Sequence, residues 1–570
     1  MLINIRQNIS TENKGNKLTS LSVTFLGGLS RIGRNCMVLE YDGSCIVIDC
    51  GIMFPEADMP GIDYVLPDLN YLFERKDKID GIVITHAHED HAGGLQFLLR
   101  EVDAPIYSSP LSLELLSNKL LEANLLSKSK LKPVNDGDVL KIGKFEVEFI
   151  PVTHSVPHAF AASYTTKAGT IVHTGDFKID HSPIDGRRTD LARFGEIGKT
   201  KNVVLLLSDS TGAEKPGTTG SESSVKTSID RIFLEQHDKR IIVSTFASHI
   251  HRIIQIVESA ISSGRKVAFL GRSLHTNLEV TKKLKLYEIA KKHVIDIEEI
   301  DNFTPDKVCV IATGSQGEPL SALSLVASGQ SRFITIGETD CVVFSSHTIP
   351  GNEMSVNRII NGMMRRGATV IHDGMEPIHV SGHASADELA TMISLVQPEY
   401  FVPVHGEHRH MKAHCDIALR TGMDKDHVLL CHDGDSVIFE EHEVHVDHES
   451  ASGAYLYVDG NVGGITNALL RDRRQLGEDG LIVCVVTVDS SDGSIMGEVE
   501  VVTRGWVPRS DSTQHLSKAS DIVRRELTKA LDAGERNVES LKAIVRKAVG
   551  SATSDSTGRK PTIIPLVIEA

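Results

Sequence analysis

Cysteine is scarce in this chain, and the eight cysteines among its 570 residues form no C-x-x-C pair. This pattern argues against a disulfide framework or a cysteine-rich zinc ribbon and favours reduced thiols in the cytosol. Long apolar runs are also missing, because nowhere do eighteen apolar residues follow one another. The first twenty residues are polar and lack the apolar core of a signal peptide. We therefore expect a cytoplasmic protein that does not span a membrane.

Positive charge is in short supply as well, since 60 Lys and Arg face 76 Asp and Glu and leave a formal net charge of −16. This balance argues against a protein that coats nucleic acid by bulk charge, so any nucleic-acid contact must be confined to a cleft. The apolar fraction of 41% is typical of a chain that folds. A length of 570 residues is too great for one hydrophobic core and predicts roughly three to five domains.

Hydrophobic patterning divides the chain into segments of different character. Residues 20–175 alternate β-rich runs with turns and with helical stretches near 92–101 and 110–127, which predicts a layered α/β or α+β domain. From about residue 221, strands alternate with helices, and such βαβ units predict a small parallel sheet with loops at the carboxyl ends of its strands. Short strands and histidines return after "HVSGHAS". The simplest interpretation is one domain interrupted by another, followed by a small separate α/β unit.

The stretch "VITHAHEDHAGGL", residues 83–95, concentrates metal-binding side chains directly after an apolar run. A strand end and its following turn can present His86 and His88 to one metal ion, and Asp90 and His91 to a second ion about 3.5 to 4 Å away. Surface histidines in a polar loop would explain one such residue but not four at this spacing. Glu89 is expected to support the ligands or to stay solvated.

Further ligands must come from loops after other strands. "PVTHSVPHAF" offers His154 and His158, and "IVHTGDFKID" offers His173 and Asp176. Position at a strand end, together with the spacing, favours His154 and Asp176 as ligands. His158 and His173 are better explained as supporting or simply buried histidines.

Together these residues resemble a known group of hydrolases. H-x-H-x-D-H with a downstream His and Asp resembles the metallo-β-lactamase superfamily of dinuclear metal hydrolases. "SDSTGAEKPG" with Asp209, "HVSGHAS" with His383 and "PVHGEHRH" with His405 resemble the three motifs of the β-CASP nucleases, the branch that cleaves RNA and DNA. "PGNE" at 350–353, "ATGSQGEP" at 312–319 and "TRGWV" near the C-terminus make the chain similar to the bacterial ribonuclease J family over essentially everything after residue 20.

The resemblance implies a fold class and a domain order. It implies an α/β chain in which a metallo-β-lactamase αββα sandwich is interrupted by a β-CASP parallel-sheet domain and followed by a small C-terminal α/β domain. The predicted boundaries are 1–19 for a disordered N-terminal arm, 20–220 and 376–460 for the two parts of the metallo-β-lactamase domain, 221–375 for the β-CASP domain, 461–480 for a linker and 481–570 for the C-terminal domain.

The same resemblance implies the ligands of two divalent metal ions, with zinc expected and manganese as the alternative. They are His86, His88 and His154 at one ion, Asp90, His91 and His405 at the other, and Asp176 as the bridge. Such a pair of ions activates water and neutralises phosphate oxygens, so Asp90 and Asp176 are assigned to catalysis. His383 is implied as the group that stabilises or protonates the departing oxygen, and the plainer alternative is a buried core histidine.

Small and polar residues are assigned to the substrate channel. They are Ala247, Ser248, His249, Gly314, Ser315, His379, Val380, Ser381, Gly382 and His383. The stretch around Gly314 lacks the lysine of a P-loop, so we expect it to bind an anion rather than to hydrolyse nucleotides, while a plain connecting loop stays open for Ser315. The chain departs from the family at His249, where Asn is usual, and at Gly212, where "SDSTNAE" is usual; these departures concern RNA contacts and not the chemistry.

The resemblance implies a ribonuclease with endonuclease activity and with 5′-to-3′ exonuclease activity that prefers a 5′-monophosphate, acting in mRNA decay and rRNA maturation. RNA is the expected partner, together with other RNA-decay proteins and further copies of the chain. Residues 481–570 should support a homodimer or homotetramer, because the apolar residues at their C-terminal end are hard to bury in a small domain. A DNA-directed β-CASP nuclease, a small-molecule metallo-hydrolase and a non-catalytic scaffold are the alternatives.

Two weaker features lie outside these motifs. Asp58, Asp63 and Asp459 could gather a hard cation such as calcium, although solvated turn carboxylates are the commoner case. The "RDRR" stretch at 471–474 either contacts RNA or a partner subunit or belongs to a solvated linker.

Overall fold

The computed structural model describes residues 20–56, 58–318, 321–349, 352–440, 443–460, 462–489 and 491–570. The predicted N-terminal arm, 1–19, lies outside the described residues. Backbone contacts divide the chain into two compact units, one with residues up to 54 together with 65–455, the other with 55–64 and 456–570. Among the described residues, no helix is both long enough and apolar enough to cross a membrane.

The first unit begins with strands and short helices. Its strands as far as residue 209 are β1 (Leu21–Gly27), β2 (Cys36–Tyr41), β3 (Ser44–Ile48), β4 (Tyr64–Pro67), β5 (Ile79–Val83), β6 (Pro105–Ser108), β7 (Lys130–Pro133), β8 (Val139–Ile142), β9 (Phe145–Pro151), β10 (Phe160–Thr166), β11 (Gly169–His173) and β12 (Val203–Asp209). Its helices are α1 (Asn70–Phe73), α2 (Glu89–Ala92), α3 (Leu95–Leu98), α4 (Pro110–Glu122) and α5 (Leu191–Thr200). The single helix expected near 92–101 is replaced by the two short helices α2 and α3. The helix is interrupted between them because the Gly94 N–H donates to Cys50 O at 2.8 Å, outside the helix.

An insert with alternating strands and helices follows, after which the chain returns. The insert contains α6 (Glu222–Glu235), β13 (Arg240–Ser244), α7 (Ile250–Ser262), β14 (Lys266–Leu270), α8 (Arg272–Lys283), β15 (Val308–Ala312), α9 (Ala322–Ser328), β16 (Asp340–Phe344), α10 (Glu353–Arg365) and β17 (Thr369–His372). The returning segment contains α11 (Ala386–Val396), β18 (Tyr400–Val404), α12 (His408–Arg420), β19 (Ser436–Glu440) and β20 (Glu443–Asp447).

Two sheets form the centre of the first unit, in the strand orders β20-β19-β1-β2-β3-β5-β6-β7 and β18-β12-β11-β10-β9-β8. They share a core that includes Phe25, Leu39, Phe149 and Tyr164. Helices α3 and α4 cover the outer side of the first sheet, and α5, α11 and α12 cover the second. The predicted αββα sandwich is therefore confirmed, and strands from both sides of the insert build its sheets.

The insert forms a five-stranded parallel sheet in the order β14-β15-β13-β16-β17. Helices α6, α7 and α8 pack on one face, and α9 and α10 pack on the other. This is the parallel-sheet domain expected from the βαβ pattern. The segments that follow its strands leave from the carboxyl edge, where α/β sheets generally bind ligands.

The second unit contains a hairpin, a helix and a small α/β layer. Its elements are β21 (Tyr455–Asp459), β22 (Val462–Ile465), α13 (Asn467–Asp479), β23 (Leu481–Val488), β24 (Ile495–Arg504), α14 (Arg509–Asp532), α15 (Val538–Thr557) and β25 (Thr562–Glu569). Helices α14 and α15 pack on one face of the sheet β24-β23-β25. The stretch 461–480, predicted as a linker, includes helix α13, whose first turn is capped by the Thr466 hydroxyl accepting from Leu469 N–H.

Candidate metal centre

The predicted metal ligands share one placement, since each lies in the loop or short helix that follows a buried strand. They are His86, His88, Asp90 and His91 after β5, His154 after β9, Asp176 after β11 and His405 after β18. Strand β5 belongs to one sheet of the sandwich, whereas β9, β11 and β18 belong to the other. Both sheets therefore contribute to one site.

Four of these residues form a first ligand group: His86, His88, His154 and Asp176, whose donor atoms lie within 4.8 Å of one another. His88 Nδ1 lies 2.9 Å from His86 Nε2 and 3.3 Å from His154 Nε2. Asp176 Oδ2 lies 3.8 Å from His86 Nε2 and 3.7 Å from His154 Nε2. Nitrogen and oxygen atoms of the kinds that bind divalent metals thus converge on one point.

A second ligand group is formed by Asp90, His91, Asp176 and His405. His91 Nε2 lies 3.2 Å from Asp176 Oδ2 and 3.6 Å from Asp90 Oδ2. His405 Nε2 lies 3.5 Å from Asp90 Oδ2, and His405 Nδ1 lies 2.9 Å from Asp176 Oδ1. Asp176 belongs to both groups, so its carboxylate is the one that both groups share.

Hydrogen bonds from outside the two groups set which ring nitrogen faces the centre. His154 Nδ1 donates to Gly382 O at 2.8 Å, so its Nε2 keeps a free lone pair. His91 Nδ1 lies 2.7 Å from Asp49 Oδ2, and Asp49 also accepts from the Thr85 hydroxyl at 2.9 Å. Partners of this kind orient metal-binding imidazoles and raise their basicity.

Asp49 and Asn35 support the site but are not singled out by the sequence analysis. Asp49 is fully buried after β3, with a φ of 58°. The Asn35 amide donates to Asp90 O at 3.0 Å and lies 3.2 Å from His91 Nε2. The sequence signal that could have identified Asp49 is "CIVIDCG", in which a carboxylate directly follows an apolar run.

Burial and neighbouring charge set the protonation of the site. Burial lowers the pKa of His86 and His88 well below the ordinary value, and neighbouring histidines add to this effect. Burial also lowers the pKa of His154 to about 4. Burial opposes ionisation of Asp176, but His405 and His91 hold its pKa well below the ordinary value. His86, His88 and His154 are therefore held in the neutral form that can bind a metal. The charge of Asp176 outweighs burial and raises the pKa of His91 and His405, the two histidines that flank this carboxylate.

The residues present fit divalent cations. His405 Nε2 is buried and has no hydrogen-bond partner, although it points toward the Asp90 carboxylate. His86 Nε2 and His88 Nδ1 approach to 2.9 Å in a buried place, where two imidazole lone pairs repel unless a cation or proton lies between them. Neutral imidazoles with ionised carboxylates are the donor set that zinc and manganese accept.

His383 lies beside the shared carboxylate and is held by a second one. Its Nδ1 lies 2.7 Å from Asp209 Oδ2 and 3.9 Å from Asp176 Oδ2. Burial disfavours a charge on His383, but Asp209 and Asp176 outweigh it and raise its pKa to about 9. The side chain is still 21% exposed, so it can be reached from outside the ligand groups.

A narrow cavity lies directly beside the first ligand group. Of the predicted substrate residues, it brings together His249, Val380, Ser381 and Gly382. His154 and Lys178 contribute from the sandwich, and Glu222 contributes from the insert. The cavity therefore lies between the two folds of the first unit and beside the candidate metal ligands.

The remaining predicted substrate residues do not line that cavity. Ala247 uses its carbonyl to accept from Asn277 Nδ2 at 2.7 Å, and Ser248 is half-buried. His379 stacks on His347 with ring centroids 6.0 Å apart, and its Nδ1 is buried without a hydrogen-bond partner.

Gly314 and Ser315 lie after β15 in the insert, at the carboxyl edge of its sheet. The neighbouring Gln316 amide donates to His347 O at 2.9 Å. This bond joins the glycine-rich turn to the loop of His347, whose ring stacks on His379. The turn thus supports the loops of this edge, and Ser315 and Gln316 are themselves buried, at 3% and 4% exposure.

The two departures from the family pattern have structural consequences. His249 is 4% exposed, and its Nδ1 accepts from Arg252 N–H at 3.2 Å, so its ring caps helix α7 as an Asn would. At Gly212, a Cβ would lie 2.1 Å from Ala384 O, in the loop directly after His383. Glycine therefore lets that loop approach more closely than any side chain would allow.

Other histidines and carboxylates from the sequence analysis lie apart from the centre. Among the described residues, neither His158 nor His173 belongs to the two ligand groups. His173 is buried at the end of β11. Glu89 forms an ion pair with Lys119 instead of facing the ligands.

In the second unit, the carboxylates considered for calcium have other partners. Asp459 pairs with Arg473 at 2.6 Å, and Asp58 lies 3.8 Å from Arg474. Asp63 accepts from Gly460 N–H at 2.7 Å. Arginines therefore already balance the charge of two of these carboxylates, and Arg473 and Arg474 of the "RDRR" stretch pair within their own unit.

Comparison with known proteins agrees with this architecture. Residues 30–232 match the family model "Metallo-beta-lactamase superfamily", and 238–363 match "Ribonuclease J, beta-CASP domain". Residues 369–428 match "Zn-dependent metallo-hydrolase RNA specificity domain", and 468–570 match "Ribonuclease J C-terminal domain". A crystal structure of a protein of unknown function from Enterococcus faecalis shares the fold, with a TM-score of 0.53 at 17% identity over 74% of this chain and all of that one.

Fold, family models and histidine-rich site together define a metal-dependent hydrolase of the metallo-β-lactamase superfamily with an inserted β-CASP domain. Ribonuclease J 1 of Streptococcus pyogenes is 38% identical over 97% of this chain and 98% of its own length. Ribonuclease J2 of Bacillus subtilis is 37% identical over 96% of this chain and 99% of its own length. Ribonuclease J of Mycolicibacterium smegmatis is 37% identical over 96% of this chain and 97% of its own length. The chain belongs to the ribonuclease J family and is a metal-dependent nuclease that acts on RNA, which replaces the alternative of a small-molecule hydrolase.

Proposed function

We propose that the centre holds two divalent cations, zinc or manganese, and hydrolyses RNA phosphodiesters. His86, His88 and His154 hold one cation, Asp90, His91 and His405 hold the other, and Asp176 serves both. The observation that carries this proposal is the shared position of Asp176 within 4.8 Å of both groups of donor atoms. Such cations supply Lewis-acid stabilisation of phosphate charge and lower the pKa of water.

The chain's own residues orient the site and handle the proton. Asp49 and Gly382 fix the rings of His91 and His154, so the lone pairs of these two residues face inward without rearrangement. Asp209 fixes His383 through its Nδ1, which leaves Nε2 to give a proton to the departing oxygen. The pairing of this imidazole with buried carboxylates favours its protonated form and fixes its orientation.

The narrow cavity supports exonucleolytic digestion from a 5′-monophosphate. Ser381 and Gly382 form one wall directly beside His154, so a terminal phosphate held there places the next phosphodiester at the centre. We expect a site shaped for one terminal phosphate to disfavour the further phosphates of a triphosphate end. Endonuclease activity uses the same centre on RNA that passes through without a terminal charge. Roles in mRNA decay and rRNA maturation are part of the same proposal.

The test uses full-length protein purified without added metal and RNAs of one sequence carrying a monophosphate, a triphosphate or a hydroxyl at the 5′ end. We expect hydrolysis of all three, with the monophosphate RNA degraded most rapidly from its 5′ end, and loss of hydrolysis in chelator. Equal rates on all three ends would contradict the end recognition. A DNA strand of the same sequence tests the DNA-directed alternative.

We further propose a homodimer or homotetramer that uses the C-terminal sheet. The face of this sheet opposite α14 and α15 presents Ile564, Leu566 and Ile568 at 42%, 44% and 51% exposure. Leu481, Val483 and Val485 of β23 alternate with buried residues and continue the same apolar face. An exposed apolar sheet face of this kind is typical of a contact surface. Other RNA-decay partners and a cytoplasmic location stay predictions.

A further inference from the structure

The loop 379–383 carries Ser381 and His383, and its first anchor is the carbonyl of Ile378. Two donors hold this carbonyl, since Arg252 Nη1 and Ser345 Oγ each lie 2.7 Å from it. Ile378 itself is fully buried. The position of the loop therefore depends on a buried bond at its start, in addition to the bond from Ala384 N–H to Phe177 O at its end.

Arg252 is fully buried on helix α7, and every nitrogen of its guanidinium is engaged. Nε and Nη2 donate to the two carboxylate oxygens of Glu222 at 2.6 and 2.9 Å. Nη1 donates to Ser345 Oγ at 2.6 Å as well as to Ile378 O. A guanidinium without water is tolerated only when its charge and donors are matched in this way, so the geometry is specific to arginine.

Glu222 extends the contacts of Arg252 toward the metal side of the site. Its backbone N–H donates to Asp180 Oδ2 at 3.0 Å, and Asp180 lies four residues after Asp176. Its backbone carbonyl accepts from Gln255 Nε2 at 3.0 Å on the same helix as Arg252. A continuous buried network thus runs from the loop after Asp176, through Glu222 and Arg252, to Ile378 O.

We infer that Arg252 is a positioning residue for the RNA 5′ end: paired with Glu222, it holds Ile378 O and so sets Ser381 and His383 against the metal centre. This inference rests on the proposed end recognition by the cavity. Arg252 touches neither the ligand groups nor His383 and acts through the loop. The network ties the loop to both the insert and the sandwich, so the distance between the cavity wall and the centre is fixed from both sides.

The test is Arg252→Lys in the full-length protein. Lysine keeps the charge opposite Glu222 but cannot bind both carboxylate oxygens in a fork and also reach Ile378 O. We expect kcat/KM on 5′-monophosphate RNA to fall roughly 10- to 100-fold, because the reacting groups lose their alignment. We expect the ratio of kcat/KM between 5′-monophosphate and 5′-hydroxyl RNA to fall as well. Simple loss of folded protein would lower kcat/KM equally on the two RNAs and leave their ratio unchanged.

Arg265→Lys is the matched control, because Arg265 is also a buried arginine of the insert. Its Nη2 donates to the carbonyls of Gln236, His237 and Lys239, at the opposite edge of the sheet from the cavity. It should leave the substrate ratio at the wild-type value. Ser345→Ala is a gentler variant, since it removes one donor to Ile378 O and leaves the ion pair of Arg252 intact.

Amide hydrogen exchange over residues 378–385 gives a readout that does not depend on activity. Faster exchange there in Arg252→Lys and Ser345→Ala, but not in Arg265→Lys, supports the inference. If Arg252→Lys shows the same exchange and the same substrate ratio as Arg265→Lys, the inference is overturned. Should Arg252→Lys not fold, the comparison of Ser345→Ala with Arg265→Lys decides alone. If wild-type protein shows no preference for a 5′-monophosphate, the proposed end recognition fails, while the exchange comparison still decides whether Arg252 positions the loop.

Discussion

The substitution Gly212→Ala tests how closely two loops must approach beside His383. A Cβ at position 212 would lie 2.1 Å from Ala384 O, whereas an ordinary contact begins at 3.4 Å. The loop after His383 must therefore retreat by about 1 Å, and misplacements of this size cost on the order of 100-fold in rate. Because Asp209 and His383 are joined by a 2.7 Å hydrogen bond across the same gap, we expect kcat to fall more than KM rises.

The assay is steady-state hydrolysis of 5′-monophosphate RNA, together with thermal unfolding of the same samples. Gly337→Ala is the control, because a Cβ there meets nothing within 4 Å and its backbone does not require glycine. We expect Gly337→Ala to match the wild type in both measurements. Wild-type kcat in Gly212→Ala would refute the reasoning, since it would show that the loop has room for a side chain.

Three further outcomes are expected. Asp90→Ala and Asp176→Ala should each abolish RNA hydrolysis while the far-ultraviolet circular dichroism stays that of the wild type, because each removes a ligand but little buried apolar area; most of the wild-type rate in both variants would contradict the two-cation centre. Ser381→Ala should lower kcat/KM on 5′-monophosphate RNA by roughly tenfold to a thousandfold and affect internal cleavage less; an equal loss on monophosphate, triphosphate and hydroxyl ends would assign this residue to catalysis or folding. Leu566→Asp, or a chain that ends near residue 460, should give a smaller assembly in light scattering, and an unchanged mass would rule out the C-terminal sheet as the contact.

The metal-binding pattern was accessible from the sequence because it depends on short-range spacing and on strand ends. His86, His88, Asp90 and His91 lie within six positions after β5, so one turn presents them together. His154 and Asp176 could be selected over their neighbours because each follows a strand whose end faces the same edge. His405 came from the family resemblance, since nothing local to "PVHGEHRH" shows that β18 completes the second sheet.

The supporting contacts could not be predicted, because they depend on how distant backbones approach. Asp49 reaches His91 only because its backbone adopts a φ of 58° after β3. The Gly382 carbonyl that orients His154 lies 228 positions away in the sequence. His249 was assigned to the substrate from its motif, and that assignment stays a prediction, whereas the cap that its ring provides for helix α7 was not predicted.

Some elements differ from expectation for local reasons. The helix expected near 92–101 is broken because the backbone of Gly94 bonds to Cys50. The predicted linker contains helix α13, whose Arg473 pairs with Asp459. That pair balances the charge of Asp459, a carboxylate that looked free in the sequence.

Metal content measured on the same preparation that is assayed tests the central claim most directly. Elemental analysis of protein purified without added metal, followed by chelation and re-addition of zinc or manganese, gives both stoichiometry and dependence. The shared position of Asp176 predicts close to two divalent cations per chain, a marked loss of both in Asp176→Ala, and RNA hydrolysis that disappears with the metal and returns with it. One cation or fewer per chain in a fully active wild-type enzyme, or undiminished binding in Asp176→Ala, would contradict the account.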